Sequence, residues 1–349
     1  MATRAQRRRT LLVLLISGVT MFLLVALELG LRVYKSLSYD GRIHLSSSSI
    51  NNVPHPTLGW TSPPSLTFEK DDPCYGSGRV SYNEAGFRAP PLEQATDSHP
   101  VICVLGDSTM QGYQLPDGTY FPHQLTKALL QRGETPYVLP LAVGGYGSVQ
   151  QWMLYEQYCR PLGPDVVIVN WADNDPINNS YTLERYSGPA NNNARPRPYL
   201  DPATDTTTMR TPYPLSLGAT LDDFLLVRVI NTVLLGLDMR SPDEPSMREG
   251  LEEGYAVARA IAERFADEPG RKIALVSADQ HRAREMFRAA GFELAIHRVI
   301  PDAMRCLPRD SHPNSQGHAI MVDALLEVMV GPVESPLHEL IGNHGDHDH

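Results

Sequence analysis

Cysteine is scarce: four in 349 residues, with no Cys-x-x-Cys pair. That density excludes a disulfide-built scaffold, and the spacing excludes a zinc site made of thiolates. Internal repeats are missing, which removes solenoids and propellers. Basic charge is sparse in the body of the chain. Six of the 30 lysines and arginines, and one of the 40 acidic residues, fall in the first 35 positions. The rest carries 24 and 39, a net charge of −15. So acidic a body excludes nucleic acid, whose affinity comes mostly from neutralised phosphates. No motif for a metal or an organic cofactor is present, and none is expected. What remains is 42% apolar, enough for a sizeable core.

The apolar material starts early. Arg4, Arg7, Arg8 and Arg9 precede a run from Thr10 to Leu27 without a charge, and continuing to Leu31 gives 22 residues. At about 1.5 Å per residue, such a helix spans a hydrocarbon core of about 30 Å. Glu28 and Arg32 stand at i,i+4, where a helical pair neutralises itself. A basic cluster on the short side predicts a cytoplasmic N-terminus (1–9), a transmembrane signal anchor (10–31) and a body that is periplasmic or extracellular. A cleaved signal peptide is the rival reading, but the run ends in Leu-Glu-Leu-Gly-Leu-Arg without an A-x-A site.

Residues 36–99 are rich in turn formers and read as a stalk, or leader, that packs on the domain. From 100 the pattern alternates strand and helix. Strands are expected at Pro100 to Leu105, Tyr137 to Val143, Asp165 to Trp171, Arg271 to Val276 and Phe292 to His297. Helices are expected at His123 to Arg132, Gln150 to Cys159, Ser246 to Phe265, Gln280 to Ala290 and Asn314 to Val330. Five such strands predict an α/β fold: an open, mostly parallel five-stranded sheet with helices on both faces. The domain runs over 100–335, with an insertion at about 176–245. Asp175 to Pro214 is expected to lack regular structure. Leu221 to Leu237 is apolar and reads as a core helix or as a lid or membrane-contacting helix. A His-rich tail occupies 336–349.

In open parallel sheets, sites form at the carboxyl ends of strands. The first strand runs into Gly106-Asp107-Ser108. The second runs into Gly144-Gly145-Tyr146-Gly147, and the third into Ala172-Asp173-Asn174-Asp175. A fourth piece, Asp310-Ser311-His312-Pro313-Asn314, stands just before the last helix. Together they supply a hydroxyl, donors for an oxyanion, a carboxylate and an imidazole, the parts of nucleophilic acyl transfer.

In this order the four blocks resemble the SGNH/GDSL hydrolase family over residues 101–330, and His55 to Trp60 and Tyr82 to Arg88 resemble leader segments of its membrane-anchored bacterial members. The resemblance implies a flavodoxin-like three-layer α/β/α fold. It implies Ser108 as nucleophile, His312 as general base and Asp310 as its orienting partner. It also implies an oxyanion hole of the Ser108 N–H, the Gly145 N–H and the Asn174 side chain. Two departures stand out. Ala172 replaces the family's glycine, and one residue fewer separates Asp310 from His312, which keeps Asp302 in play as the acid. Gly144 competes with Gly145 as the second donor. Asp107 reads as a turn-former that presents Ser108, and His318 and His123 as capping or packing residues. Cys103 reads as a small buried hydrophobe. Cys74, Cys159 and Cys306 can form disulfides, Cys159–Cys306 among the options.

The expected function is that of a membrane-anchored serine esterase. It would hydrolyse acyl esters, acetyl esters first, on envelope or extracellular glycans, with no cofactor and no nucleic-acid partner. Two alternatives stay open. In one, a sugar hydroxyl replaces water, giving an O-acyltransferase. In the other, the domain is an inactive glycan-binding or scaffold module.

Overall fold

The computed structural model describes residues 4–37, 52–95, 100–184, 196–210, 224, 226–227, 229–230 and 244–330. The His-rich tail and most of the apolar run 221–237 lie outside these residues. The described chain divides into two units, Met1–Pro63 with Pro176–Val257, and Pro64–Asp175 with Ala258–His349.

The first unit contains helix α1 (Arg4–Leu37). Within it Arg8–Val33 forms a 26-residue stretch of hydropathy 2.6 that is long and apolar enough to cross a membrane. Glu28 accepts from Arg32 Nε at 2.7 Å, the pair expected from the spacing, and from the Leu226 N–H at 2.9 Å. Strands β1 (Val53–His55) and β2 (Gly59–Thr61) form a hairpin that delivers Trp60 to full burial.

The second unit opens with hairpin β3 (Thr67–Asp72) and β4 (Gly76–Ser81). Strand β5 (Val101–Gly106) follows, then a one-turn helix α2 (Ser108–Gln111) and helix α3 (Phe121–Leu130). Next come β6 (Tyr137–Ala142), α4 (Ser148–Leu154) continuing as a π-helical turn to Cys159, and β7 (Val166–Asn170). The chain then enters the insertion. Contrary to expectation it holds regular structure: helical turns α5 (Asp175–Asn179) and α6 (Tyr181–Glu184), and the hairpin β8 (Arg197–Asp201) and β9 (Thr206–Arg210). Arg197 and Glu184, both fully buried, pair at 3.0 Å, and the guanidinium lies 5.1 Å from the Trp60 ring. A polar, aperiodic stretch has thus acquired order through one buried ion pair and the leader's tryptophan.

Helix α7 (Glu244–Ala266) leads back to β10 (Arg271–Ser277), α8 (His281–Ala289) and β11 (Glu293–His297). The short strands β12 (Arg305–Cys306) and β13 (Asp310–Pro313) precede the last helix, α9 (Ser315–Val330).

The central sheet has the order β11-β10-β7-β5-β6 and every pairing in it is parallel. Counted along the sheet's own strands this is 2-1-3-4-5, the flavodoxin-like order expected. On one face Ile102, Val104, Ile168 and Leu275 pack with Phe121 and Leu125 of α3 and Met321 and Leu325 of α9. Each contributes about 1.5–3 kcal/mol on burial. Neighbouring residues in β5 point the other way, where Trp152, Tyr155 and Phe265 stack edge to face or nearly parallel at 4.8–5.5 Å.

The cysteines correct the expectation. All four are paired, as Cys74–Cys306 and Cys103–Cys159. Cys103 is therefore no simple hydrophobe, and Cys159 is not Cys306's partner. Both Cys103 and Cys159 are fully buried and meet beneath the sheet. Strand alternation turns Cys103 toward the segment after α4, a consequence of tertiary packing that spacing does not reveal.

Candidate active site

The strand order reverses between β5 and β7, and a crevice opens there at their carboxyl ends. The sequence makes a sharp turn at this point. Gly106 ends β5, and a Cβ on it would lie 2.6 Å from Met110 Cγ, so glycine alone lets α2 fold back on the strand. Asp107 caps α2 by accepting from the Thr109 N–H at 2.9 Å. Ser108 is thereby presented at the crevice as the first residue of the helical turn.

His312 arrives from the far end of the chain, and its Nε2 lies 2.6 Å from Ser108 Oγ. Its Nδ1 is 2.5 Å from Asp310 Oδ1, which also accepts from the His312 backbone N–H at 3.0 Å. The short Asp-x-His spacing now has a reason. The pair lies on β13, where residues i and i+2 share a face. Burial pushes the Asp310 carboxyl up, but bonds and charge from His312, aided by the Tyr75 hydroxyl, hold it at about 2. Asp302 lies instead in an exposed 3-10 turn, Asp302–Met304.

Asn174 lines the cavity beside Ser108, and its Nδ2 gives one hydrogen to Asp107 Oδ2 at 2.9 Å. An amide nitrogen carries two hydrogens, so this bond accounts for only one of them. The Gly144 N–H is engaged by Gln111 Oε1 at 2.9 Å. Gly145 has φ of +78°, a left-handed turn that favours glycine. Neither Gly144 nor Gly145 is among the residues that line the cavity. A Cβ on Gly144 would nevertheless sit 3.6 Å from Ser108 Cβ, so this loop passes close to the serine.

The cavity measures about 250 Å³. Trp171, Ile300 and Met321 contribute apolar lining, and Asp173, Asp279 and Gln280 polar lining. Gln280 Nε2 donates to Asp173 Oδ1 at 2.7 Å. Among the described residues no cluster of His, Cys, Asp or Glu is arranged to hold a metal ion. His318 and His123 keep the structural positions expected of them. His318 Nδ1 accepts from the Phe121 N–H at 3.1 Å, and His123 Nδ1 from the Gly118 N–H at 2.5 Å.

Sequence reasoning missed what the leader does. Arg88, buried, donates to the carbonyls of Gln111, Gly112 and Leu115, so the guanidinium caps the end of the turn that carries Ser108. It also pairs with Asp117 at 2.8 Å. The only advance signal was the Asn-x-x-Gly-Phe-Arg string itself. Asn83 Oδ1 accepts from the Ala85 and Phe87 N–H groups, forming the tight turn that aims Arg88 inward.

No protein-family model matches the chain, and no curated protein matches it. Solved structures do. The chain is similar to several of them. One is TesA, at 10% identity, TM-score 0.38, covering 66% of this chain and 98% of that one. Another is the acetyl xylan esterase AlAXEase, at 12% identity, TM-score 0.38, covering 66% and 100%. A third is a catalytic mutant of Axe2, an acetylxylan esterase from Geobacillus stearothermophilus, at 12% identity, TM-score 0.37, covering 65% and 93%.

Proposed function

We propose that this protein is a membrane-anchored serine esterase of the SGNH type, with its catalytic unit outside the cytoplasm. The observation that carries the reading is the continuous hydrogen-bonded line Ser108 Oγ, His312 Nε2, His312 Nδ1, Asp310 Oδ1, at 2.6 and 2.5 Å. In the reaction, His312 Nε2 takes the Ser108 proton as Oγ bonds to the ester carbonyl carbon. The carbonyl electrons move onto oxygen, where the Asn174 amide, the Ser108 N–H and the Gly145 N–H are the proposed donors. Collapse breaks the bond to the leaving alkoxide, which takes the proton from Nε2. Water repeats the cycle and frees the acid. Asp310 fixes the imidazole tautomer and stabilises its charged form without being protonated.

A cavity of about 250 Å³ favours a short acyl group over a long chain. The polar lining suits a hydroxyl-rich leaving group, which supports acetylated carbohydrate as the substrate class. The helix over Arg8–Val33 and the arginines before it support an anchor with a cytoplasmic N-terminus. Two disulfides support an oxidising location for the body.

The test uses the full chain in detergent micelles with para-nitrophenyl acetate and a fluorophosphonate probe. Wild type is expected to turn over and to be labelled, and Ser108→Ala to do neither. Asn174→Ala is expected to be labelled but slowed roughly 10²–10³-fold in kcat, the usual loss for one oxyanion donor. A folded wild type that neither turns over nor reacts with the probe rejects the esterase reading.

A further inference from the structure

The acid–base pair is not carried by the central sheet. Asp310 and His312 lie on β13, which among the described residues pairs with the two residues of β12 alone, Arg305 opposite Pro313 and Cys306 opposite Asp310. A two-stranded ladder of this length is marginal by itself. Yet the reading above needs the imidazole held to a fraction of an ångström, since a 1 Å misplacement can cost about 10²-fold. On one side the loop is braced by its own neighbours. Arg305 Nη1 donates to the Ser311 carbonyl at 2.8 Å, and the Asn314 N–H to the Met304 carbonyl at 2.8 Å.

The other side is braced by the leader, and the bonds come from three closely spaced positions at the tip of the β3–β4 hairpin. Asp72 Oδ1 accepts from the Cys74 and Tyr75 N–H groups at 2.9 and 3.1 Å, which shapes the tip. The same oxygen pairs with Arg309 Nη2 at 2.7 Å. Cys74 is bonded to Cys306. Tyr75, only 6% exposed, packs against Leu115, Tyr120 and Cys306. Its hydroxyl, with a single hydrogen, donates to the His312 carbonyl at 3.3 Å and acts on the neighbouring Asp310 carboxylate. Positions 72, 74 and 75 thus grip positions 309, 306 and 310–312.

We propose that Tyr75 is a positioning residue for the Asp310–His312 pair, and that the 72–75 tip is the clamp that sets where the imidazole meets Ser108. The inference rests on the esterase reading and assigns the leader a part in it. The phenol is held in its neutral, donating form: burial and the Asp310 charge push its pKa up. Other groups bear on the same corner. Lys70 lies over the Tyr75 and Tyr113 rings and, with Asp72 and Arg309, acts on Asp310 or Tyr75, while His312 acts electrostatically on His318.

The test is Tyr75→Phe in the full chain, which keeps the ring and removes the hydroxyl. Its kcat for para-nitrophenyl acetate, counted per fluorophosphonate-titrated site, is expected to fall about tenfold, with KM within about twofold of wild type. The low-field proton resonance of His312 Nδ1, assigned by its loss in His312→Gln, is expected to move or broaden. Tyr137→Phe is the control. That hydroxyl bonds the Pro90 and Pro91 carbonyls and its loss is expected to leave kcat unchanged. If Tyr75→Phe does not fold, Arg309→Ala loosens the same clamp from its exposed side and is expected to move both readouts in the same direction. Wild-type kcat per titrated site with a wild-type resonance overturns the proposal, as does a loss that only tracks the titratable fraction. If wild type itself hydrolyses nothing, the esterase reading fails, and the resonance comparison still tests the clamp.

Discussion

His318 illustrates how a buried residue near the site can speak for the whole fold. It is 1% exposed, accepts from Phe121, and its pKa is held at about 3 by burial first, then by the charges of His312 and Arg88. The sign follows from linkage. Unfolded, the imidazole binds a proton near pH 6.5; folded, it refuses one until about 3. Its contribution is complete above about pH 6.5 and lost as pH falls toward 3. His318→Gln keeps an acceptor but cannot titrate. Denaturant unfolding across that range should show the variant with the flatter profile, by up to about 1.4 kcal/mol per pH unit. Equal slopes would reject the buried neutral histidine. The residues proposed for chemistry were the most legible part of the sequence. Ser108 and Asn174 were recognisable because each stands just past a strand of continuous apolar residues. Asp310 was less so, since its spacing makes sense only once β13 is known to be a strand.

Elements were legible wherever burial on both faces forces a long apolar run. The five strands of the central sheet were found within one or two residues, for instance Arg271 to Val276 against Arg271–Ser277. Elements made by cross-chain bonds were invisible. The β8–β9 hairpin depends on Arg197 finding Glu184 and Trp60, and no local pattern encodes that. The cysteine pairing was hidden for the same reason: Cys74 and Cys306 are 232 positions apart and meet only because two small hairpins do. Cys74→Ser should therefore lower global stability by about 2–4 kcal/mol, the usual contribution of a disulfide. Calorimetry would register this as a drop in Tm, and an unchanged Tm would mean the bridge does not form. Cys103–Cys159, sealed in the core, should resist a mild reductant that opens Cys74–Cys306, whose Cys74 is half-exposed.

At the scale of the molecule, charge and hydropathy divide the chain into an apolar N-terminal helix and an acidic body. Thirty-four residues of helix α1 carry the apolar run with basic residues before it, while the remainder is strongly acidic. If the helix is retained as an anchor, alkaline carbonate should leave the protein in the membrane pellet. Added protease should digest the body from the outer side and spare the N-terminal arginines. Release of the intact body by carbonate would favour a cleaved or peripheral form.

The bridge from Cys74 to Cys306 also imposes a timetable. The serine-bearing turn is complete once about the first third of the chain has been made, but the half of the clamp that holds the imidazole comes more than two hundred residues after its partner. If the body matures outside the cytoplasm, as proposed, the covalent half of the grip on the imidazole closes only there, and a chain still in a reducing compartment would hold His312 through the Asp72–Arg309 and Tyr75 contacts alone.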